Sequence, residues 1–439
     1  MVEIVEFRFS EFELNLRCKP RVALFSGNYN YIKDGANQAL NRLSEFLDKN
    51  GASVRVYSPT ISTPAFEGYG DIVSIPSLKI PFGRGEYRFG IGLSRLVKND
   101  LDAFKPDIVH VSCPDVTGHS AIRYARKHGL PVIASMHTRF ETYPRYYGMK
   151  WIEPVIESFL RRFYRQCDKV LAPSDSMARL MRAQRMNGQI DIWARGIDHD
   201  RFSPSKRSEE FRTRSGFCDD EVIIGFCGRL VREKGLDVFA DALDRLVQMN
   251  VPHRALIVGD GPARNWFQSR LSKSAFTGFL TGEALARAMA SMDVFFNPSV
   301  TETFGNVTLE AMASGLPVVA AEAPGSQDLI QESVNGRLIQ PNAVDQFAEA
   351  LAQYCKDMGL RRRHGSAARQ SSFNYDWNLI NSKVVEHYTE LIKVKMGADS
   401  VSASESYQVS GALVPMHEFF FDRQNPAAVN HIWCSDDTE

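Results

Sequence analysis

The sequence has no run of apolar residues long enough to form a membrane-spanning helix. Such a helix needs about 18 or more consecutive apolar residues, and no window of the 439 residues approaches that length. Residues 1–20 alternate apolar with acidic side chains and lack the basic start and apolar centre of a signal peptide. These absences predict a cytoplasmic protein.

Paired cysteines are also missing. The seven cysteines are odd in number, and none of them forms a CxxC pair. Such scattered residues are typical of free thiols in a reducing compartment rather than of a disulfide framework or a zinc site. They are Cys18, Cys113, Cys167, Cys218, Cys227, Cys355 and Cys434.

The chain carries no excess of either charge, because 52 Lys and Arg residues balance 52 Asp and Glu residues. Locally the charges are uneven, with ten basic and five acidic residues between Arg139 and Arg185. Such a stretch can face phosphates or an anionic membrane, or it can be a solvated surface. No nucleic-acid recognition motif accompanies the positive stretches, so nucleic acid is not a predicted partner.

Two series of short apolar runs, separated by helical spacings, dominate the chain. The first series extends from Arg21–Ser26 to Lys169–Ala172, and the second from Val222–Cys227 to Pro317–Ala320. Runs that are apolar throughout are typical of parallel strands covered on both faces. The pattern predicts two doubly wound α/β domains, with ligands bound at the carboxyl ends of the strands.

The polar segment Ser203–Glu210 is predicted to link the two series. After Ile392 the helical pattern stops, and residues 397–411 are small and polar. This composition predicts a disordered tail.

The first motif with chemical content is GRLVREKG, Gly228 to Gly235, between the apolar run VIIGFC and a helical pattern. A glycine-rich turn at a helix N-terminus can bind a pyrophosphate, and Arg229 and Lys234 would neutralise it. The alternative interpretation is a surface turn that is basic without binding a ligand.

The second motif is ETFGNVTLE, in which Glu302 and Glu310 lie eight residues apart around Phe304-Gly305-Asn306. The glycine allows a loop to turn into a helix whose first N–H groups are available to a ligand. Glu310 would then accept ribose hydroxyls, and Glu302 would lie nearer a sugar. Taken alone, the two glutamates could equally be ordinary helix-surface residues.

Together with LIVGDGP (Leu256–Pro262) and PSVTETFG, these motifs resemble the retaining GT-B glycosyltransferases of glycosyltransferase family four. The resemblance covers roughly residues 20–394 and implies two Rossmann-like domains facing each other across a cleft. It places the acceptor in residues 1–202 and a nucleotide-sugar donor in residues 203–375. Residues 376–394 would form a helix that crosses back to the N-terminal domain, and 395–439 the tail.

The resemblance also implies roles for individual residues. Arg229 and Lys234 match a diphosphate-binding pair, Glu310 matches a ribose-binding glutamate, and His137 matches a histidine that contacts the donor sugar. Gly35 occupies the first glycine-rich loop, where many members have two adjacent glycines and this chain has one. The implied catalytic residues are His137, Glu302, Arg229 and Lys234. The implied donor-binding residues are Gly35, Arg229, Lys234, Phe304, Gly305, Asn306, Val307 and Glu310.

For such a fold the usual mechanism retains the anomeric configuration without a covalent enzyme intermediate, and the departing diphosphate helps to deprotonate the acceptor. No cofactor and no metal are expected beyond the donor, a UDP-sugar or, less favoured, a GDP-sugar. Asp100-Leu101-Asp102 and Asp198-His199-Asp200 spell D-x-D, a metal-binding pattern of another transferase class, and are interpreted as coincidental.

The segments MHTRFETYPRYYG (136–148) and WARGIDHDRFSP (193–204) resemble the branch that glycosylates membrane lipids, including sulfolipid synthases and mannosyl- or glucuronosyl-transferases acting on diacylglycerol. The predicted acceptor is a lipid of the diacylglycerol, ceramide or phosphatidylinositol class. Residues 75–98 interleave aromatic rings with cations, which suits the inner face of an anionic membrane. The residues assigned to the acceptor or the membrane are Lys79, Phe82, Arg84, Arg88 and Arg139.

Two alternatives stay open at this point. One is a family member acting on a soluble or polysaccharide acceptor, and the other is a non-catalytic protein that binds nucleotide-sugars. Arg139, beside His137, could also pair with an acidic donor sugar such as glucuronate.

Overall fold

The computed structural model describes residues 19–32, 34–79, 88–218, 220–271 and 273–395. Phe82 and Arg84 lie outside these residues, as does nearly all of the tail predicted from residue 395 onward. Within them, no helix is both long and apolar enough to span a bilayer. Five of the seven cysteines are described and all five are free thiols, which confirms that part of the prediction.

The first sheet has seven parallel strands in the order β3-β2-β1-β6-β7-β8-β9. The order in which successive strands are added to the sheet changes side between β1 and β6. Doubly wound sheets bind ligands at this type of position. The strands are β1 (Arg21–Phe25), β2 (Ser53–Ser58), β3 (Asp71–Ser74), β6 (Ile108–Val111), β7 (Val132–Ser135), β8 (Lys169–Ala172) and β9 (Ile190–Ile192).

The second sheet has six parallel strands in the order β12-β11-β10-β13-β14-β15, and its order reverses between β10 and β13. Its strands are β10 (Ile223–Cys227), β11 (Arg254–Val258), β12 (Ala275–Gly278), β13 (Val294–Asn297), β14 (Val318–Ala321) and β15 (Gly336–Ile339). Both sheets confirm the predicted α/β class.

Helices cover both sheets, and their apolar sides bury the largely aliphatic strands in separate cores. They are α1 (Gly35–Lys49), α2 (Arg95–Phe104), α3 (Val116–Lys127), α4 (Glu153–Tyr164), α5 (Asp175–Ala183), α6 (Glu209–Arg214), α7 (Leu236–Gln248), α8 (Arg264–Arg270), α9 (Gly282–Ala290), α10 (Asn306–Ala313), α11 (Ser326–Leu329), α12 (Val344–Lys356), α13 (Met358–Ser372) and α14 (Trp377–Lys395).

The last helix packs on the first sheet, although it follows the second along the chain. Val384, Val385 and Tyr388 of α14 are buried in one cluster with residues of β1 and α1. The chain therefore crosses twice between the sheets, and the crossings meet where Ile197 N donates to Tyr375 O at 2.9 Å.

Residues 75–98, predicted as a loop, contain an antiparallel hairpin of β4 (Ser77–Lys79) and β5 (Arg88–Gly90). In its register Lys79 lies opposite Arg88 and Leu78 lies opposite Phe89. Residues 80–87, between the two strands along the chain, lie outside the described residues.

The segment Ser203–Glu210, predicted to link the two series, lies between β9 of the first sheet and β10 of the second. It holds a short 3-10 turn, Pro204–Lys206, and the start of α6. Arg207 pairs with Asp293 at 3.2 Å, and the buried Arg212 pairs with the same carboxylate at 3.0 Å. These ion pairs fix the segment and α6 to the beginning of the central strand β13, because Asp293 immediately precedes that strand.

Candidate functional site

A cleft of about 820 Å³ lies between the carboxyl ends of the two sheets. On the first side it is lined by the start of α1 and by His137–Arg139, which follow β7. On the second side it is lined by the residues after β10, β11 and β13. All ten residues predicted as catalytic or donor-binding line this one cleft: Gly35, His137, Arg229, Lys234, Glu302, Phe304, Gly305, Asn306, Val307 and Glu310.

The loop after β13 turns into α10 at Gly305, whose φ of 95° is in the left-handed region that glycine tolerates best. No side chain caps this helix start. Its first N–H groups therefore face the cleft without a side-chain acceptor, which suits an anionic or hydroxyl-bearing ligand.

Two buried acceptor atoms on α10 have no hydrogen-bond partner in the described part of the chain. They are Oε2 of Glu310 and Oδ1 of Asn306. Burial raises the pKa of Glu310 to about 8, with only a small opposing effect from Arg201. A buried acceptor without a donor is costly, so both atoms point to a ligand that brings hydroxyl or N–H groups.

The cationic side of the cleft follows β10. Lys234 ends the 3-10 turn Arg232–Lys234, just before α7, and Arg229 lies on the same loop. The Lys234 ammonium contacts the Glu302 carboxylate at 2.6 Å. The two motifs found in the sequence are thus joined directly by an ion pair.

Gly35 and Asn306 lie close together on opposite sides of the cleft. A Cβ atom added there would lie 2.0 Å from Nδ2 of Asn306. The first residue of α1 therefore has no room for a side chain. Asp34, just before it, caps α1 by accepting from Asn37 N at 2.8 Å, and burial raises its pKa.

His137 lies just beyond the end of β7, and protein atoms contact both of its ring nitrogens. Nδ1 is 2.9 Å from an Arg195 guanidinium nitrogen, and Nε2 is 2.8 Å from Oγ of Ser135. Burial, with a smaller effect of the Arg195 charge, holds the pKa of His137 well below its ordinary value. Its carbonyl oxygen accepts from Thr303 Oγ1 at 2.9 Å, across the cleft.

More hydrogen bonds join the two sides beside the cleft. Ser174 Oγ donates to Thr303 O at 3.0 Å. Ser176, in the first turn of α5, donates its backbone N–H to the Asp328 carboxylate at 3.0 Å, and its Oγ accepts from Gly325 N at 3.1 Å. These bonds hold the start of α5 against α11.

The structure places the residues assigned to the acceptor or the membrane in two different regions. Arg139 lines the cleft, and its Nε donates to the buried Glu141 at 2.9 Å, so a protein carboxylate already occupies one edge of the guanidinium. Lys79 and Arg88 lie on the hairpin and are not part of the cleft lining.

Three of the four D-x-D aspartates accept hydrogen bonds from protein groups. Asp100 accepts from Tyr57 OH at 2.8 Å, Asp102 accepts from Tyr124 OH at 2.7 Å, and Asp198 accepts from Arg201 N at 3.0 Å. Among the described residues, no group of three or more His, Cys, Asp or Glu side chains is arranged to hold a metal ion.

Arg195 and Asp34 are among the polar residues of the cleft that were not assigned a role from the sequence. Arg195 lies in the quoted segment WARG and contacts His137, while Asp34 precedes the glycine that was noticed. The signal for Asp34 was present, because Asp is a preferred N-cap residue. No signal in the sequence indicates that Arg195 contacts His137, which lies 58 positions earlier in the chain.

Two family models match the chain. The model described as Glycosyltransferase Family 4 matches residues 33–201, and the one described as Glycosyl transferases group 1 matches residues 221–357. Among solved structures, sucrose-phosphate synthase from Thermosynechococcus elongatus superimposes with a TM-score of 0.72 at 18% identity, covering 85% of this chain and 100% of that one. This likeness confirms the predicted GT-B fold.

Curated relatives show the family directly. The sulfoquinovosyl transferase SQD2 of Arabidopsis thaliana is 32% identical over 83% of this chain and 73% of its own length. A GDP-mannose-dependent alpha-mannosyltransferase of Mycolicibacterium smegmatis is 33% identical over 85% and 98%. The alpha-monoglucosyldiacylglycerol synthase of Streptococcus pneumoniae is 26% identical over 72% and 75%. The chain therefore belongs to glycosyltransferase family 4 and is a glycosyltransferase of the GT-B fold.

Proposed function

We propose that this glycosyltransferase transfers a sugar, with retention of configuration, from a nucleotide-sugar to a lipid acceptor at a membrane surface. The observation that carries the donor assignment is the pair of buried, unpartnered acceptor atoms on α10, opposite the cations of the β10 loop. Glu310 and Asn306 supply acceptors for hydroxyl groups, while Arg229 and Lys234 supply positive charge for a diphosphate. One nucleotide-sugar satisfies both sets at once.

In this assignment Glu310 binds the ribose and Arg229 and Lys234 bind the diphosphate. As the sugar–phosphate bond breaks, negative charge grows on the departing diphosphate, and the two cations stabilise that charge. Removing one such preorganised group typically costs about 100- to 1,000-fold in kcat. The Lys234–Glu302 ion pair keeps the lysine oriented before the donor binds.

The lipid acceptor is supported by two arguments. One of the relatives is named a monoglucosyldiacylglycerol synthase, which places a lipid product in the same family. The second argument is an apolar face of the N-terminal domain, formed by exposed side chains of the β4–β5 hairpin, α3 and α4 with the turn before it. These are Leu78, Phe89, Ile91, Val116, Trp151, Val155 and Phe159.

Helix α3 contacts both the segment that follows the hairpin and α4. Gly92 N, after the hairpin, donates to Thr117 Oγ1 of α3 at 3.3 Å. The ring of His119 packs edge-on against the ring of Phe159 in α4, with 5.2 Å between the ring centroids. Large side chains are unusually exposed there, Trp151 at 76% and Leu78 at 61%. A bilayer interface accommodates such rings.

The same elements also carry exposed cations. Lys79, Arg123 and Lys150 are exposed, and Lys79 lies directly opposite Arg88 in the hairpin. Like charges in register repel each other, and an anionic headgroup would relieve that repulsion. We infer binding to the inner, cytoplasmic face of an anionic membrane, with a lipid of the diacylglycerol, ceramide or phosphatidylinositol class as acceptor.

The decisive test is transfer from a panel of UDP- and GDP-sugars to a total lipid extract, with EDTA present throughout. We expect lipid-dependent turnover of one donor, which would also identify the nucleotide. Turnover that stops in EDTA would contradict metal independence. Nucleotide binding without any transfer would favour a soluble acceptor missing from the assay or the non-catalytic alternative.

A double variant tests the diphosphate site. Arg229→Ala with Lys234→Ala should weaken nucleotide binding at least about 100-fold, because each lost charge-assisted contact contributes roughly 1.5–3 kcal/mol. Arg232→Ala is the matched control, since this arginine is exposed on the same turn and does not line the cleft. Unchanged affinity of the double variant, measured by calorimetry, would refute the assignment.

A second double variant tests the membrane surface. Trp151→Ser with Phe159→Ser should reduce co-sedimentation with vesicles of anionic phospholipid about tenfold or more, because two rings no longer insert. Trp266→Ser, which removes an exposed ring on α8, should leave vesicle binding unchanged. Equal losses in both variants would argue against a specific face.

A further inference from the structure

A buried chain of polar side chains extends from the cleft to the last helix. From His137 Nε2 it passes to Ser135 Oγ at 2.8 Å, from there to His110 Nε2 at 2.8 Å, and from His110 Nδ1 to Tyr388 OH at 2.6 Å. Ser135, His110 and Tyr388 are all at most 2% exposed. Apart from His137, none of these residues has a role in the proposed donor site.

At the cleft, this series of hydrogen-bonded side chains begins at Arg195, which is only 5% exposed. One guanidinium nitrogen, Nη1, donates to the carbonyl oxygens of Trp193 at 2.6 Å and Ala194 at 3.0 Å, and the other, Nη2, contacts His137 Nδ1. The guanidinium also lies over the Trp193 ring at 4.9 Å. Four contacts thus fix its orientation.

Proton positions follow from the chemistry of arginine. A guanidinium donates hydrogen bonds and cannot accept them. Burial lowers the pKa of Arg195 to about 9, so it remains charged at neutral pH. His137 Nδ1 must then be the acceptor and carry no proton, and Nε2 must carry the proton of the neutral ring. That proton is donated to Ser135.

In the part of the chain that the structure describes, the Arg195 guanidinium makes no ion pair with a carboxylate, and burial is the cause of its lowered pKa. The nearest titratable partner is His137 itself, and protonation of that ring would place two positive charges side by side. The arrangement therefore excludes the imidazolium form.

We propose that Arg195 is the positioning residue of the cleft, holding His137 as a neutral ring with Nδ1 unprotonated and Nε2–H donated to Ser135. In this state the imidazole neither gives nor takes a proton during transfer. His137 contributes its fixed ring and its carbonyl group, and the positive charge beside the donor sugar belongs to Arg195.

The direct test is a long-range proton–nitrogen NMR spectrum of the full chain with nitrogen-labelled histidine, using a His137→Gln spectrum for assignment. We expect His137 Nδ1 at the shift of an unprotonated imidazole nitrogen and Nε2 at that of a protonated one. The opposite tautomer, or an imidazolium at neutral pH, would overturn the proposal. This measurement needs no substrate, so it stands apart from the proposed function.

Substitutions of Arg195 then distinguish a role in positioning the His137 ring from a role in packing alone. Arg195→Met removes the donor to Nδ1 and should mix the two tautomers, whereas Arg195→Lys keeps a cationic donor and should restore the wild-type spectrum. Arg287→Met, on an exposed part of α9, is the control. A wild-type His137 spectrum in Arg195→Met would show that Ser135 alone sets the tautomer and would refute the role of Arg195.

The kinetic consequence rests on the proposed transfer activity. Arg195→Met should lower kcat about 10- to 100-fold, the scale of one hydrogen bond to a charged group, with little change in the KM for the donor. Arg195→Lys should recover most of the loss. If the Arg195→Met protein does not fold, the His137 tautomer in the wild-type and Arg195→Lys spectra decides the proposal.

Discussion

At the residue scale, the Glu310 carboxyl group couples protonation to folding. Its pKa is about 8 in the folded protein against an ordinary value of 4.5, so the folded state binds the extra proton between these two pH values. Stability must therefore fall as pH rises from about 4.5 through 8. The slope from this one group is at most about 1.4 kcal/mol per pH unit.

This coupling gives a measurable difference between two nearly isosteric proteins. Between pH 6 and pH 8.5, the wild-type Tm should decrease more steeply than that of Glu310→Gln, which cannot ionise. Thermal unfolding followed by circular dichroism at several pH values would measure both slopes. If Tm changed with pH equally in both proteins, the Glu310 carboxyl group would be ionised throughout this range, and its burial would not raise its pKa.

Gly35 offers a second residue-scale prediction. In Gly35→Ala the new methyl group would meet the Asn306 amide at 2.0 Å, so the amide must leave the donor site or the cleft must open. Donor affinity should fall about tenfold, the effect of losing one or two hydrogen bonds. Gly188→Ala is the matched control, because a Cβ there meets nothing within 4 Å.

The residues of the cleft differ in how far the sequence could identify them. Those in GRLVREKG and ETFGNVTLE lie within short motifs, where spacing along the chain already brings them together. The roles of Arg195 and of the buried His110 depend instead on contacts between distant strands and the last helix. A single sequence contains no record of such contacts. The functional roles of all these residues remain predictions.

At the scale of elements, the central strands were predictable and the outer ones were not. β1, β6, β10 and β13 are apolar and flank the points where strand order reverses. The edge strand β3 has no buried residue, and β9 has only one of three. Such short, half-polar segments lack the apolar signal of buried strands and resemble loops in the sequence.

The contact between α5 and α11 controls closure of the cleft in our interpretation. Ser176→Ala removes hydroxyl bonds to Asp328 and to Gly325 N, a loss of about 1–2 kcal/mol. That loss shifts an open–closed ratio about five- to thirty-fold. Small-angle X-ray scattering of the nucleotide-free protein should show a larger radius of gyration, and Ser269→Ala, on exposed α8, should not.

At the scale of the whole molecule, α14 is part of the N-terminal core. A chain ending after Asp376 would leave the surfaces that Val384, Val385 and Tyr388 cover exposed. We expect aggregation and loss of cooperative unfolding, because several large side chains are removed from one core. A chain ending after Lys395 keeps α14 and should unfold cooperatively. Cooperative unfolding of the shorter chain would show that α14 is dispensable.

The adjacent crossings at Ile197 and Tyr375 determine how this enzyme can be recombined with its relatives. Topologically, the second sheet and its helices are a single insert, entered and left at points joined by one 2.9 Å hydrogen bond. A chimera made by exchanging the C-terminal half would separate α14 from its core. Exchanging residues 197–375 as a cassette would preserve both cores and would exchange the predicted donor-binding residues of the second domain.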